Sequence, residues 1–189
     1  MRHKVIALLT AAAIIVLAWY LTGRNSTGSS GQSTGQNTPI VGKVYLTTDQ
    51  KAENRPAIPE FVAQPTSGSP YNINSVSGKY IFINFWNTWC PPCQEEMPDL
   101  ARLYRDYRDK NVAFYFINIT AGEKSPAEVE KFLQQQGLKL PVYLDETGEV
   151  ATAFGVRAIP TTVVVNPSGQ LVYARAGALT YEKARALIR

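Results

Sequence analysis

Cysteine and histidine are scarce in this chain: among 189 residues there are two of the first and one of the second. Two cysteines cannot supply a four-ligand structural zinc site without carboxylates or a second chain. The single histidine, His3, precedes an apolar run, so imidazole-assisted catalysis is excluded from everything beyond it. One cysteine pair also does not make a disulfide-stapled scaffold. A strong charge of either sign is missing too. Taking Arg2, Lys4 and Arg24, which flank the apolar run, from the 19 basic residues leaves 16 against 15 acidic ones, too even a balance for a nucleic-acid surface. No internal repeat and no peroxide-binding motif is present.

What the chain has begins with that apolar run. Residues 5–21 carry no charge, with Arg2, His3 and Lys4 before them and Trp19 and Tyr20 at their far end. The length is near the lower limit for crossing a bilayer, about 17 to 25 residues. Basic residues ahead of the run and aromatic ones at its end orient it with residues 1–4 in the cytoplasm and the rest outside. An uncleaved single-pass anchor over residues 5–22 is expected in preference to the alternative, a cleaved signal peptide, because no convincing small-x-small site follows. Residues 23–38 are mostly Gly, Ser, Thr, Gln and Asn and read as the start of a flexible linker, assigned to residues 23–54. The 16-residue stretch reaches only about 20 to 25 Å as a random coil, which keeps the domain near the membrane. Residues 55–189 have the composition of one globular domain, long enough for a single core.

Both cysteines lie in Trp89-Cys90-Pro91-Pro92-Cys93. Positions i and i+3 at a helix start share a face, close enough for a reversible disulfide in which one sulfur attacks a partner and the other resolves it. A structural disulfide would close too short a loop to stabilise the fold by much. Helix N-termini lower thiol pKa values, because backbone N–H groups and the helix dipole favour the thiolate. Proline is tolerated in the first helical turn, and Pro91 and Pro92 have no amide proton to offer. With Cys90 as N-cap, the Cys93 N–H is the nearest donor left.

Tyr80–Trp86 is a nearly continuous apolar and aromatic run, expected to be a central buried strand that delivers the cysteines at its C-terminal end. Met97, Leu100, Ala101 and Tyr104 then follow helical spacing, with a kink expected at Pro98. Residues 112–119 complete a β-α-β unit. Ser125-Pro126-Ala127-Glu128 has the form of a capping box and opens a helix that Gly137 ends. A strand at Pro141–Leu144, a brief helix over 149–154, a hairpin of Thr161–Val165 with 171–174, and a last helix capped by Thr180 complete the domain. The expected class is α/β, with a mixed sheet flanked by helices.

These motifs together resemble the thioredoxin fold, and more closely the membrane-anchored TlpA/ResA-like thiol-disulfide oxidoreductases. The resemblance runs through Ile83-Asn84-Phe85-Trp86-Asn87-Thr88-Trp89-Cys90-Pro91-Pro92-Cys93, Glu96-Met97-Pro98, residues 156–165 and Asn166-Pro167-Ser168-Gly169. It implies a thioredoxin-like domain with an N-terminal strand extension and a central α-β insertion, the latter matching residues 125–144. It implies that Cys90 is the exposed attacking thiol and Cys93 the resolving one, with the redox-active Cys90–Cys93 disulfide and no other cofactor. Pro160, after Ile159, would be a cis-proline beside the disulfide, its flanking backbone able to pair with a substrate strand. Trp89, Pro91, Pro92, Ile159 and Pro160 are then the expected substrate-binding residues, with Trp89 at the rim and Trp86 in the core. Asn84 stands where thioredoxins keep a buried aspartate. Glu96 matches the family's active-site glutamate and joins Cys90 and Cys93 as a catalytic candidate, against the alternative of a solvated first-turn carboxylate. Glu95 reads as solvated.

The implied activity is reduction of protein disulfides outside the cytoplasm, with apocytochrome c as substrate and a membrane thiol-transfer protein of the CcdA/DsbD kind as electron donor. A spore-envelope reductase, an oxidase or isomerase using the same residues, and an anchored module holding metal or heme partners without turnover are the rivals. Spacing alone does not set direction, since C-x-x-C proteins span about -270 to -120 mV. The proline insert makes its own prediction. The Cys90 thiol pKa should fall in Pro91→Gly, where an N–H is restored; thiol titration giving an unchanged or higher value would contradict this.

Overall fold

The structure, a computed structural model, describes residues 40–46, 58–65, 69–76 and 78–189. The unit spanning Asn37–Arg189 is organised on one eight-stranded sheet. In chain order its elements are β1 (Ile40–Leu46), β2 (Phe61–Gln64), β3 (Tyr71–Asn72), β4 (Tyr80–Trp86), α1 (Pro91–Tyr107), β5 (Val112–Asn118), α2 (Pro126–Gln135), β6 (Pro141–Leu144), α3 (Glu149–Ala153), β7 (Thr161–Val165), β8 (Leu171–Ala176) and α4 (Tyr181–Ala186). The strand order is β3-β2-β1-β6-β5-β4-β7-β8. Strands β1, β6, β5 and β4 run parallel to their neighbours in that series, while β2, β3, β7 and β8 join antiparallel, so the sheet is mixed.

The alternation of side chains along β4 explains the two cores. Phe82 and Trp86 face the side where Leu100, Leu103, Val129, Leu133, Tyr181 and Ala184 pack from α1, α2 and α4. Ile81, Ile83 and Phe85 face the other side, where Phe61, Ile73, Val150 and Ala151 close the layer. A strand buried on both faces must be apolar throughout, and every residue from Ile81 to Trp86 is buried, Asn84 being the polar exception. That exception lies on the α1 side, and the functional site is built around it.

One expectation is corrected and another refined. Residues 40–46 fall within the stretch assigned to a linker, but they form β1, inserted between β2 and β6. The β-branched and apolar Ile-Val-Gly-Lys-Val-Tyr-Leu run fits a strand, and its polar surroundings in the sequence conceal it. Ser125 is the N-cap of α2, but its side chain makes no capping bond; its carbonyl accepts from the Glu128 N–H at 3.2 Å instead. Thr180 does cap α4, accepting from the Lys183 N–H. Helix α1 runs through Pro98 as one element of 17 residues. The expected membrane span over residues 5–22 lies outside the described residues, and among the described residues no helix is long and apolar enough to cross a membrane.

Candidate active site

Strand β4 ends at Trp86, and the Asn87-Thr88-Trp89 turn carries the chain to Cys90, the N-cap of α1. Cys90 and Cys93 form a disulfide with a Cα–Cα separation of 5.2 Å. The Cys90 Sγ accepts from the Cys93 N–H at 3.3 Å, while Pro91 and Pro92 fill the first two helical positions without donors. Helix geometry therefore places the pair at the positive end of the α1 dipole with one side-chain capping bond on the Cys90 sulfur. Cys90 is 3% exposed and Cys93 fully buried. Cys90 is thus the more accessible of the two residues, but in the disulfide it is covered rather than exposed, bonded to Cys93 and packed in the α1-side core.

Glu96, one turn beyond Cys93, settles the choice between a solvated and a buried carboxyl. It is 2% exposed. Its Oε1 accepts from Asn84 Nδ2 at 2.8 Å and its Oε2 from the Leu179 N–H at 2.8 Å. Three elements meet there: β4 through Asn84, α1 through Glu96, and the segment leading into α4 through Leu179. Asn84 also donates to Thr162 Oγ1 at 3.1 Å, joining β7 to the group. Burial of the carboxylate outweighs these two hydrogen bonds, and the Glu96 pKa is pushed up to about 7. The Asn84 Oδ1 is buried without a partner. An amide turned over at Asn84 would present that oxygen toward Glu96 and Thr162, the arrangement that a protonated carboxyl, now a donor, requires. Glu95, by contrast, is exposed, as expected of a first-turn carboxylate.

The remaining candidates surround the pair. Trp89 is 59% exposed, whereas Trp86 is fully buried and packs against Phe132 at a centroid distance of 5.6 Å. Pro91 and Pro92 are exposed. The Ile159–Pro160 bond is cis, Pro160 is buried and Ile159 half-buried. Thr161 pairs with Phe85, so Pro160 enters β7 at the end of the sheet where β4 gives way to the cysteines. The Pro160 carbonyl accepts from the Gly177 N–H at 2.8 Å, and the Ala158 carbonyl, two residues before it, accepts from the Thr161 hydroxyl at 2.6 Å.

Sequence reasoning did not reach Thr162, Leu179 or Glu123. Thr162 could have been found as a polar residue in an otherwise apolar strand. Leu179 contributes only its backbone N–H, which no side-chain pattern announces. Glu123 sits in Ala-Gly-Glu-Lys-Ser, which reads as an ordinary surface loop.

A disulfide at the strand-to-helix junction of a mixed sheet, a cis-proline at the start of a neighbouring strand and a buried carboxyl one turn along the helix define a thioredoxin-fold thiol-disulfide oxidoreductase. Comparison with known proteins agrees. The AhpC/TSA family model matches residues 55–174. Thiol-disulfide oxidoreductase ResA of Bacillus subtilis is 36% identical over 141 residues, covering 75% of this chain and 76% of that protein. ResA of Halalkalibacterium halodurans is 34% identical over 120 residues, covering 64% and 66%. The crystal structure of StoA from Bacillus subtilis superposes with a TM-score of 0.62 at 26% identity, covering 72% of this chain and 99% of that one. The chain belongs to the AhpC/TSA family and, within it, is a ResA-like thiol-disulfide oxidoreductase.

The raised Glu96 pKa has a stability consequence. Between about 4.5, the ordinary value, and about 7, the folded protein retains a proton that the unfolded chain has released. Stability therefore falls as pH rises through that window, by roughly 3 kcal/mol from this group alone, and the loss is constant above it. Urea unfolding at pH 4 and pH 8 should show the wild-type protein losing this much more than Glu96→Gln. Parallel pH profiles for the two proteins would contradict the assignment.

Proposed function

We propose that this protein is a membrane-tethered, extracytoplasmic protein-disulfide reductase that keeps the heme-attachment cysteines of apocytochrome c reduced and draws electrons from a membrane thiol-transfer protein of the CcdA/DsbD kind. The charge-free run over residues 5–22, with its basic N-terminal flank, supports the tether and its orientation. The similarity to ResA proteins supports the choice of a reductase of this branch.

The observation that carries the direction is the scarcity of hydrogen-bond donors to the Cys90 sulfur. Strong oxidants of this fold owe their potential to a stabilised thiolate in the reduced form. Here the first two residues of α1 are prolines, and the Cys93 N–H at 3.3 Å supplies the cap. Weak stabilisation of the thiolate favours the disulfide and makes the dithiol the better reductant.

In the reaction proposed, the Cys90 thiolate attacks one sulfur of the substrate disulfide. The substrate S–S bond breaks, a mixed disulfide forms, and the leaving sulfur takes up a proton. Cys93 then loses its proton and attacks the Cys90 sulfur. The Cys90–Cys93 bond forms, the bond from Cys90 to the substrate breaks, and the second substrate sulfur departs as a thiolate that takes up a proton from water. Two electrons have passed to the substrate. Glu96 takes the Cys93 proton, a role supported by its position one turn from Cys93 and its titration near neutrality. Trp89, Pro91 and Pro92 form the exposed rim against which the substrate docks, and the backbone around Ile159 and Pro160 receives its strand.

The full chain should show a reduction potential near the thioredoxin end of the range, about -270 mV. Its Cys93→Ala variant should accumulate apocytochrome c as a mixed disulfide on Cys90. A potential near the oxidising end, about -120 mV, with no trapped apocytochrome, would favour the oxidase.

A further inference from the structure

The turn that presents Cys90 is held from outside, by the loop after β5. Glu123, half-buried at the end of that loop, accepts four hydrogen bonds. Its Oε1 receives Asn87 Nδ2 at 3.0 Å, the Thr88 N–H at 2.7 Å and Asn118 Nδ2 at 2.9 Å, and its Oε2 receives the Thr88 hydroxyl at 2.7 Å. The same loop reaches one residue further along the turn. The Trp89 indole N–H donates to the Gly122 carbonyl at 2.9 Å. Gly122 lies against both neighbours: a Cβ there would stand 3.7 Å from the Asn87 amide and 3.8 Å from Trp89 Cζ2. A second bond from Asn87 Nδ2, to the Ile119 carbonyl at 2.8 Å, closes the link at the start of the loop.

An indole that is 59% exposed would sample several rotamers if nothing held its polar edge. Here the edge is tied to a loop that is itself tied, through one carboxylate, to the two residues preceding Trp89. We propose that Glu123 is a positioning residue for protein substrates: by bonding Asn87, Thr88 and Asn118 it fixes the 119–123 loop against the turn, and so holds Trp89 as a pre-formed docking face beside Cys90. The inference rests on the docking role given to Trp89 above. The carboxylate suits a permanent structural acceptor. Partial burial pushes its pKa up, but the bonds from Asn118, Thr88 and Asn87 outweigh that and hold it below the ordinary carboxylate range. It stays ionised where Glu96 titrates, so the two acids near the cysteines divide into one that exchanges a proton and one that does not.

Pre-organisation lowers the cost of ordering a surface when a partner docks, which appears in KM rather than in the chemical step. In insulin reduction by the full chain, Glu123→Ala should raise KM about tenfold with kcat changed by less than about twofold. Trp89→Ala should raise KM similarly, and the double variant should be no worse than the more impaired single one, because both changes remove the same docking face. Glu123→Gln keeps the Oε1 acceptor that takes three of the four bonds and should restore KM to near the wild-type value. Thr88→Val, which loses the hydroxyl bond alone, should shift KM in the same direction by less, and it decides the matter if Glu123→Ala does not fold. A fall in kcat with KM unchanged would overturn the proposal, as would additive effects of Glu123→Ala and Trp89→Ala. If Trp89→Ala raises KM and neither Glu123→Ala nor Thr88→Val does, the positioning role fails while the docking role stands. If Trp89→Ala leaves KM unchanged, both fail.

Discussion

A carboxyl group buried between a strand, a helix and a loop needs a hydrogen-bond donor for each of its oxygens, and Glu96 has one from the strand and one from the loop. Asn84 donates from the central strand and Leu179 from the segment before the last helix, while Glu96 itself belongs to the helix that begins at the cysteines. Removing either donor would leave a buried oxygen without a partner, at a cost of about 1 to 3 kcal/mol. The position of α1 over the sheet, and with it the position of Cys93, is tied to this contact. Asn84 is the polar residue within a strand otherwise built of apolar side chains, and its presence there has meaning only through Glu96 and Thr162.

The energetics of that contact reach the chemistry. Two hydrogen bonds do not repay the loss of water around a full negative charge, so the carboxyl holds its proton close to neutral pH. A thiol-disulfide exchange must move protons on and off sulfur as well as electrons between sulfurs, and in the reaction proposed above Glu96, one helical turn from Cys93, is the group that exchanges them. The proline insert acts on the other sulfur. By withholding amide protons at the first two positions of α1, Pro91 and Pro92 limit the stabilisation of a Cys90 thiolate that this helix terminus would otherwise give. Burial at Glu96 and missing donors at Cys90 thus act through the same variable, the relative stability of charged and uncharged forms in a nearly dry site.

The elements whose periodicity is local were legible in the sequence. Strand β4 announced itself by its apolar run, α1 by the spacing of Met97, Leu100 and Tyr104, and the β7–β8 hairpin by its Asn-Pro-Ser-Gly turn. The resemblance implied an N-terminal strand extension, but β1 was not legible in its own residues, because all seven lie in a polar, glycine-rich context and acquire their partners, β2 and β6, from later in the chain. The same division holds in the site. Cys90, Cys93 and Trp89 declared their places through spacing and size. Glu96 carried two readings until the fold brought Asn84 and the Leu179 N–H to it, since burial is a property of the assembled layers and not of the first turn of a helix. Glu123 gave no signal, because its four donors come from residues 5 to 36 positions away.

The proton on Glu96 can be observed without assuming any activity. In the oxidised protein carrying ¹³C-labelled glutamate carboxyls, assigned by comparison with Glu96→Gln, the Glu96 resonance should titrate with a midpoint near 7, well separated from those of exposed glutamates such as Glu95. A midpoint at the ordinary value of about 4.5 would show that the carboxyl is solvated or fully compensated. The account of the site as a disulfide set above a proton-exchanging carboxyl would then be wrong.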